Sequence, residues 1–308
     1  MKSNCKNCKT CNGWGCVGQM PGLGGVNESK NFQLNCVGWR KLREELKERN
    51  VLRKMLNIEV RENQLSIGPV TGAEENIGFE HESDFYLPYF LAARNAKIGL
   101  CVGDGFPNTK LQFGLDAVKM LQRYERDLKA AFFIKPYSNA KMFSRIDSTR
   151  GLANVIGCDI DSYNIVTMRN LVHLEKKTAR ELLELKKYAK LPFAIKGIFL
   201  ESDIELVKEV KPEIVFISNH GGRIETREGS TADFLAKYAR DLKNYCDEIW
   251  VDGGVRTKHD VQTALFFGAD KVIAARPFIA ALLSNGIDGM TKVACDLLGK
   301  KFVKKNAF

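Results

Sequence analysis

Apolar residues fall along the chain in short, nearly unbroken runs, each closed by polar or turn-forming residues: "NQLSIGPV", "AKIGLCVG", "AAFFIKPY", "LANVIGCDI", "FAIKGI", "EIVFISN", "EIWVDGG" and "KVIAARP". Runs of this kind predict strands buried on both faces, as in a parallel sheet covered by helices. Between several of them lie amphipathic stretches with helix start signals: Thr178 to Glu181, Ser202 to Glu205 and Thr257 to Asp260 have the spacing of a capping box. Gly268 stands where a helix C-terminus calls for a left-handed residue.

Eight such runs alternating with helices over about 240 residues favour an α/β fold of the (β/α)8 TIM-barrel type over a doubly wound sheet. The barrel is expected over residues 61–308, with a short Cys-rich N-terminal extension and a packing helix over 1–60. In such a barrel the chemistry sits at the C-terminal ends of the strands. The residues closing the runs are unusual for strand ends and include Val70, Thr71, Lys135, Asp159, Asp161, Lys196, His220, Arg223, Asp252, Arg256, Ala275 and Arg276.

Composition narrows the function classes. The chain has 308 residues, 44% of them hydrophobic, enough for a large core. No run reaches the eighteen or more uncharged apolar residues of a membrane span, and the residues after Met1 carry no apolar signal core, so a cytoplasmic protein without membrane contact is expected. Its net charge of +10 is spread along helices such as "ELKKYAKL" and "RDLKNY", so no basic face for nucleic acid is expected; an anionic cofactor or small-molecule substrate accounts for the charge more simply.

At the strand ends, Gly253-Gly254 before Arg256, and Arg276 after the eighth run, suit a phosphate: open backbone N–H groups and guanidinium forks on adjacent barrel loops. The bland alternative is a glycine turn beside a surface arginine. His220 is the only one of four histidines at a strand end beside glycines. It can act as a base with Arg223 as the anchor for an anion and a strand-end carboxylate such as Asp159 as its orienter. His81, His173 and His259 lie in polar stretches and read as histidines satisfied by local hydrogen bonds at turns. Lys196 closes an apolar strand and needs a negative partner, whether substrate, Asp159 or an anionic cofactor; a Schiff-base lysine is the competing role.

"SNHGGR" at 218–223, "VDGGVRTKHDVQTALFFGADKVIAARPF" at 251–278 and "LPFAIKGI" at 191–198 together resemble the FMN-dependent 2-hydroxy-acid oxidase and dehydrogenase family, which includes glycolate oxidase and L-lactate dehydrogenase. The resemblance runs from about Ser66 to Leu282. It implies a barrel holding FMN and oxidation of a 2-hydroxy acid to a 2-oxo acid. On that pattern His220 is the base, Arg223 binds the substrate carboxylate, Asp159 stabilises the imidazolium, and Lys196 lies by the flavin N1 and C2 carbonyl. Gly253, Gly254, Arg256 and Arg276 meet the phosphate, Asp252 approaches the ribityl chain, Val70 and Thr71 border the ring, and Lys135 and Ala275 complete the cofactor set. A homo-oligomer, a tetramer in many members, is implied as well; the electron acceptor is left open.

The sequence also departs from the family. Ile134, Lys135 and Pro136 occupy the third-strand region of a customary glutamine and tyrosine, and no tyrosine precedes Tyr86. The proline and arginine usual after the fourth-strand aspartate are replaced by "DIDSYNIVTMRN", unless Arg169 folds back, and the following loop is short enough for a lid to be missing. Ala275 stands where glycine is usual. These departures keep two alternatives open: an enzyme resembling the type 2 isopentenyl diphosphate isomerases, or a non-catalytic flavin- or metal-binding protein. Cys5, Cys8, Cys11 and Cys16 could hold Zn²⁺ or an iron–sulfur cluster, or be reduced thiols in a tail.

Overall fold

The computed structural model describes residues 29–164, 172–224 and 226–303. Eight parallel strands form one sheet: β1 (Leu65–Ile67), β2 (Cys101–Gly103), β3 (Ala130–Ile134), β4 (Ala153–Asp159), β5 (Phe193–Ile198), β6 (Ile214–Ile217), β7 (Glu248–Val251) and β8 (Lys271–Ala274). All eight apolar runs hold one. The strands are ordered β1-β8-β7-β6-β5-β4-β3-β2, and a single parallel bridge between Ser66 and Gly99 brings the two ends together. The result is a (β/α)8 barrel.

Two helices precede the barrel, α1 (Lys30–Glu48) and α2 (Leu52–Leu56). A helix then follows each strand: α3 (Ser83–Asn95), α4 (Thr109–Gln122), α5 (Asn139–Ser148), α6 (Ala179–Ala189), α7 (Glu201–Val210), α8 (Thr231–Leu242), α9 (Lys258–Phe266) and α10 (Arg276–Leu298). Among the described residues no helix is long and apolar enough to cross a membrane.

Capping boxes start α6 at Thr178 and α9 at Thr257, as the sequence predicts, and Gly268 takes φ +99° just past α9. The expected box at Ser202 and Glu205 does not form. Helix α7 begins earlier, because Asp203 is nearer the strand exit and its carboxylate accepts the backbone N–H groups of Phe199 and Leu200 at 2.9 and 2.8 Å. A further box, Ser230 with Asp233, starts α8.

The pleat explains how the barrel carries its site. Alternate residues point inward, and Cys101, Ala131, Phe133, Val155, Ala194, Ile214, Phe216, Trp250 and Ile273 form a separate apolar cluster inside the barrel. Phe133, Phe216 and Trp250 pack ring to ring, with centroids 5.3 to 6.2 Å apart. Gly157 leaves room for them, since a Cβ there would lie 2.5 Å from the Phe133 ring. Continuing each strand by its period of two places the next inward layer at Lys135, Asp159, Lys196, Ser218, Asp252 and Ala275. The apolar plug thus forms a floor beneath a polar layer.

Candidate active site

The polar layer is joined by register. Asp159 lies opposite Lys196 across β4 and β5, and Ile134 opposite Cys158 puts Lys135 beside Asp159 from the other side. Both oxygens of Asp159 are taken: Oδ2 by Lys135 Nζ at 2.7 Å and Oδ1 by Lys196 Nζ at 2.6 Å. Burial alone would raise the Asp159 carboxyl; Lys135 and Lys196, with His220, overcome this and hold it well below the ordinary carboxylate range. Burial likewise opposes the Lys196 charge, but Asp159, helped by Asp161 and Asp252, keeps the ammonium above its usual value. The surroundings of Lys196 therefore favour the ammonium over the free amine that a Schiff base requires.

His220 follows β6 in a strained turn. Its own φ is +54°, and Gly221 and Gly222 also lie in the left-handed region. The turn is held by Ser218, whose Oγ accepts from His220 N at 3.2 Å, and by Asn219, whose Oδ1 accepts from Gly222 N at 2.9 Å. The ring Nδ1 lies 3.0 Å from Asp161 Oδ1, 3.4 Å from Lys196 Nζ and 3.8 Å from Asp159 Oδ1. The carboxylate at hydrogen-bond distance is thus Asp161 rather than the expected Asp159. Burial first, then the Lys196 charge, lower the His220 pKa from its ordinary value against the pull of Asp161 and Asp159, which favours an imidazole able to accept a proton. Arg223 donates from Nη1 to the His220 carbonyl at 3.0 Å, tying the guanidinium to the turn that carries the base.

These groups open into a cavity of about 330 Å³ at the C-terminal ends of the strands. Every expected site residue of the barrel lines it except Asp159, which lies beneath Lys135 and Lys196. His81, His173 and His259 are exposed on the surface. On the β7–β8 side, Arg276 donates to the Gly221 carbonyl at 3.3 Å and stacks over the Phe32 ring at 4.7 Å. Burial, followed by repulsion from Arg223 and Arg256, pushes Arg276 down to about 9, and burial pushes Arg223 down to about 10. Three guanidiniums so placed make a site for anions.

The lining fits the implied FMN. Arg256 and Arg276 beside Gly253 and Gly254 suit its phosphate, and Asp252 Oδ1 is buried without a hydrogen-bond partner among the described residues, suiting a hydroxyl donor. Val70, Ile77, Ile273 and Ile279 supply apolar wall for a ring. Asp159, Asp161 and His220 are close enough together to bind a metal, but two lysines already neutralise Asp159. Cys5, Cys8, Cys11, Cys16 and Arg169 lie outside the described residues. The described cysteines, Cys36, Cys101, Cys158, Cys246 and Cys295, are free thiols.

Sequence reasoning missed the support that α1 gives the site. Asn35 and Asn219 exchange side-chain hydrogen bonds at 2.8 and 3.1 Å, and Asn35 Oδ1 also accepts from Thr231 N at 3.0 Å. Ser29 Oγ donates to the Gly222 carbonyl at 2.7 Å, and Trp39 Nε1 to the Gly253 carbonyl at 2.8 Å. Gly254, at φ +74°, packs so closely that a Cβ would lie 1.8 Å from the Asn35 carbonyl oxygen.

The family model for FMN-dependent dehydrogenases matches residues 109–303, more than half of the chain. A 2-hydroxyacid oxidase of Dictyostelium discoideum is 38% identical over 116 residues, covering 38% of this chain and 30% of that protein. An L-lactate dehydrogenase (cytochrome) of Saccharomyces cerevisiae is 32% identical over 184 residues, 58% of this chain and 29% of that one. Glycolate oxidase 3 of Oryza sativa is 29% identical over 180 residues, 56% and 45%. The chain thus spans about a third of the length of the first two relatives. A solved structure of mandelate oxidase with (S)-2-phenylpropionate superposes with a TM-score of 0.64 at 16% identity, covering 89% of this chain and 84% of that one; this is a likeness of fold. With the family model covering most of the barrel and the polar layer set at its mouth, the chain belongs to the FMN-dependent dehydrogenase family.

Proposed function

We propose that this protein is an FMN-dependent oxidoreductase that converts a 2-hydroxy acid to the corresponding 2-oxo acid. The observation that carries the reading is the pairing of a carboxylate-backed His220 with Arg223 on one turn, in a cavity that Lys196, Arg256 and Arg276 make cationic. Arg256, Arg276 and the Gly253-Gly254 backbone would hold the phosphate of FMN, Asp252 its ribityl chain, and Val70 and Thr71 its ring. When bound, FMN supplies a two-electron acceptor, the redox chemistry that no side chain of this site provides.

The rest of the work belongs to the chain's own residues. Arg223 binds the substrate carboxylate, which sets the α-carbon and its hydroxyl beside the imidazole. His220 accepts the proton released on oxidation. The positive charge of Lys196, fixed by Asp159, favours negative charge accumulating next to it. Where the family has a third-strand glutamine and tyrosine, this chain has Ile134, Lys135 and Pro136, and Lys135 is bound to Asp159, so the substrate is held by fewer hydroxyl contacts than in an ordinary member. The turn "HGGR" favours this reading over the isomerase alternative.

The test is anaerobic reduction of the FMN-loaded protein by a panel of 2-hydroxy acids, followed in the flavin absorption bands. Bleaching by at least one of them, with loss of bleaching but retention of FMN in His220→Ala, is the expected result. Full-rate reduction of His220→Ala would remove His220 from the mechanism, and absence of bleaching by every acid would overturn the reaction class. Re-oxidation by oxygen or by cytochrome c then separates an oxidase from a dehydrogenase.

A further inference from the structure

We propose that Asp161, two residues beyond Asp159, is the positioning carboxylate that fixes the tautomer of His220, and that Asp159 instead serves as the shared counter-ion of Lys135 and Lys196. As a role in catalysis this rests on the oxidoreductase reading above; as a statement about the imidazole it stands on geometry alone.

Asp159 is fully engaged. Its two oxygens take two ammonium groups at 2.7 and 2.6 Å, and its distance of 3.8 Å from His220 Nδ1 is beyond a hydrogen bond. Asp161 meets Nδ1 at 3.0 Å and is itself buried, with 7% of its surface exposed. The space for it comes from β5: a Cβ on Gly197, at φ +103°, would lie 2.6 Å from Asp161 Cγ, so only glycine admits this carboxylate.

The tautomer follows from what Nδ1 faces. An ionised carboxylate can only accept and an ammonium can only donate, so Nδ1 either donates to Asp161 or accepts from Lys196 at 3.4 Å. A bare Nδ1 lone pair would face the Asp161 oxygen at 3.0 Å, which is repulsive. Lys196 already has Asp159 at the shorter 2.6 Å. Nδ1 therefore carries the proton and Nε2 keeps the lone pair that takes the substrate proton. Among the described residues, the charged groups around the ring are Asp159 and Asp161 from the end of β4 and Lys196 from β5. Arg223 lies on the same turn, Lys135 acts through Asp159, and Asp252 acts through Lys196. Lys135 on Oδ2 and Lys196 on Oδ1 hold Asp159 from both sides, and the carboxylate within hydrogen-bond reach of the imidazole is the next one along the chain.

The experiment is ¹⁵N NMR of histidine-labelled full-length protein, with and without FMN, on the wild type, Asp161→Asn and Asp159→Asn. His81, His173 and His259 are exposed on the surface and contribute the other three histidine signals. In the wild type above its titration, His220 is expected as the Nδ1–H tautomer. Asp161→Asn should populate the Nε2–H form through Lys196 and lower kcat about 100-fold or more with FMN still bound. Asp159→Asn should keep the Nδ1–H form. A wild-type Nε2–H tautomer overturns the proposal without any variant, as does a tautomer lost in Asp159→Asn but kept in Asp161→Asn. If no hydroxy acid reduces the wild type, the reaction class falls while the NMR result still decides the role of Asp161.

Discussion

Replacing Asn35 with alanine tests whether α1 is part of the active site or only covers the barrel. Asn35 is 1% exposed and Asn219 is fully buried, so water cannot take over the bonds that are lost. The change orphans two donors, Asn219 Nδ2–H and Thr231 N–H, while Asn219 Oδ1 keeps Gly222 N. Each orphaned buried donor costs about 1–3 kcal/mol, and the better helix propensity of alanine returns roughly 0.5 kcal/mol. A net loss of about 3.5 kcal/mol is expected, which for a chain of this size lowers Tm by on the order of 10 °C. Thermal unfolding followed by circular dichroism on the FMN-free protein measures it. Arg40→Ala on the same helix is the control, because its ion pair with Glu44 is largely exposed and worth little. Asn219 adjoins His220, so Asn35→Ala should also lower kcat and weaken FMN binding. A Tm within 1 °C of wild type would refute the idea that this amide pair anchors the turn.

Two other changes probe separate parts of the site. Gly254→Ala puts a methyl group against the Asn35 carbonyl at a positive φ, so α1 must move away; a loss of about 3 kcal/mol or more and a failure to retain FMN on gel filtration are expected, and normal stability would contradict the close approach. Burial raises the Asp252 carboxyl from 3.8 to about 6, so as pH rises through that window the unfolded state loses its proton first and the folded state loses stability. Asp252→Asn should therefore stabilise the FMN-free protein by about 2–3 kcal/mol at pH 8 and hardly at all at pH 4. An equal gain at both pH values would show that the charge is not the cause.

How much of this could be read from the sequence depended on range. Each strand is a continuous apolar run and each strand end a visible break, so the barrel and the layer holding Lys135, Asp159, Lys196 and Asp252 follow from the pleat. The "HGGR" and "DGGVR" turns announce themselves because paired glycines leave backbone N–H groups open beside a guanidinium, the combination an anion needs. Pairings that depend on register are harder: that Lys135 and Lys196 share Asp159 follows only once β3, β4 and β5 are aligned. Asp161 carried a faint signal, the period-two spacing from Asp159, which points to the same face. The Asn35–Asn219 pair carried none, since an asparagine on a helix seeking another 184 positions away leaves no periodic trace.

That same separation sets an order of events. Helix α1 is synthesised early, but the carbonyls and amides it binds, on Asn219, Gly222, Thr231 and Gly253, follow 184 to 214 residues later. At about 5–20 residues per second, the polar face of α1 waits on the order of 10–40 s for its partners. The mouth of the barrel is therefore completed late, by a helix made before any of the eight strands. Assembly of the flavin site reports that the segments after β6 and β7 have docked on α1, rather than that its glycine loops have formed.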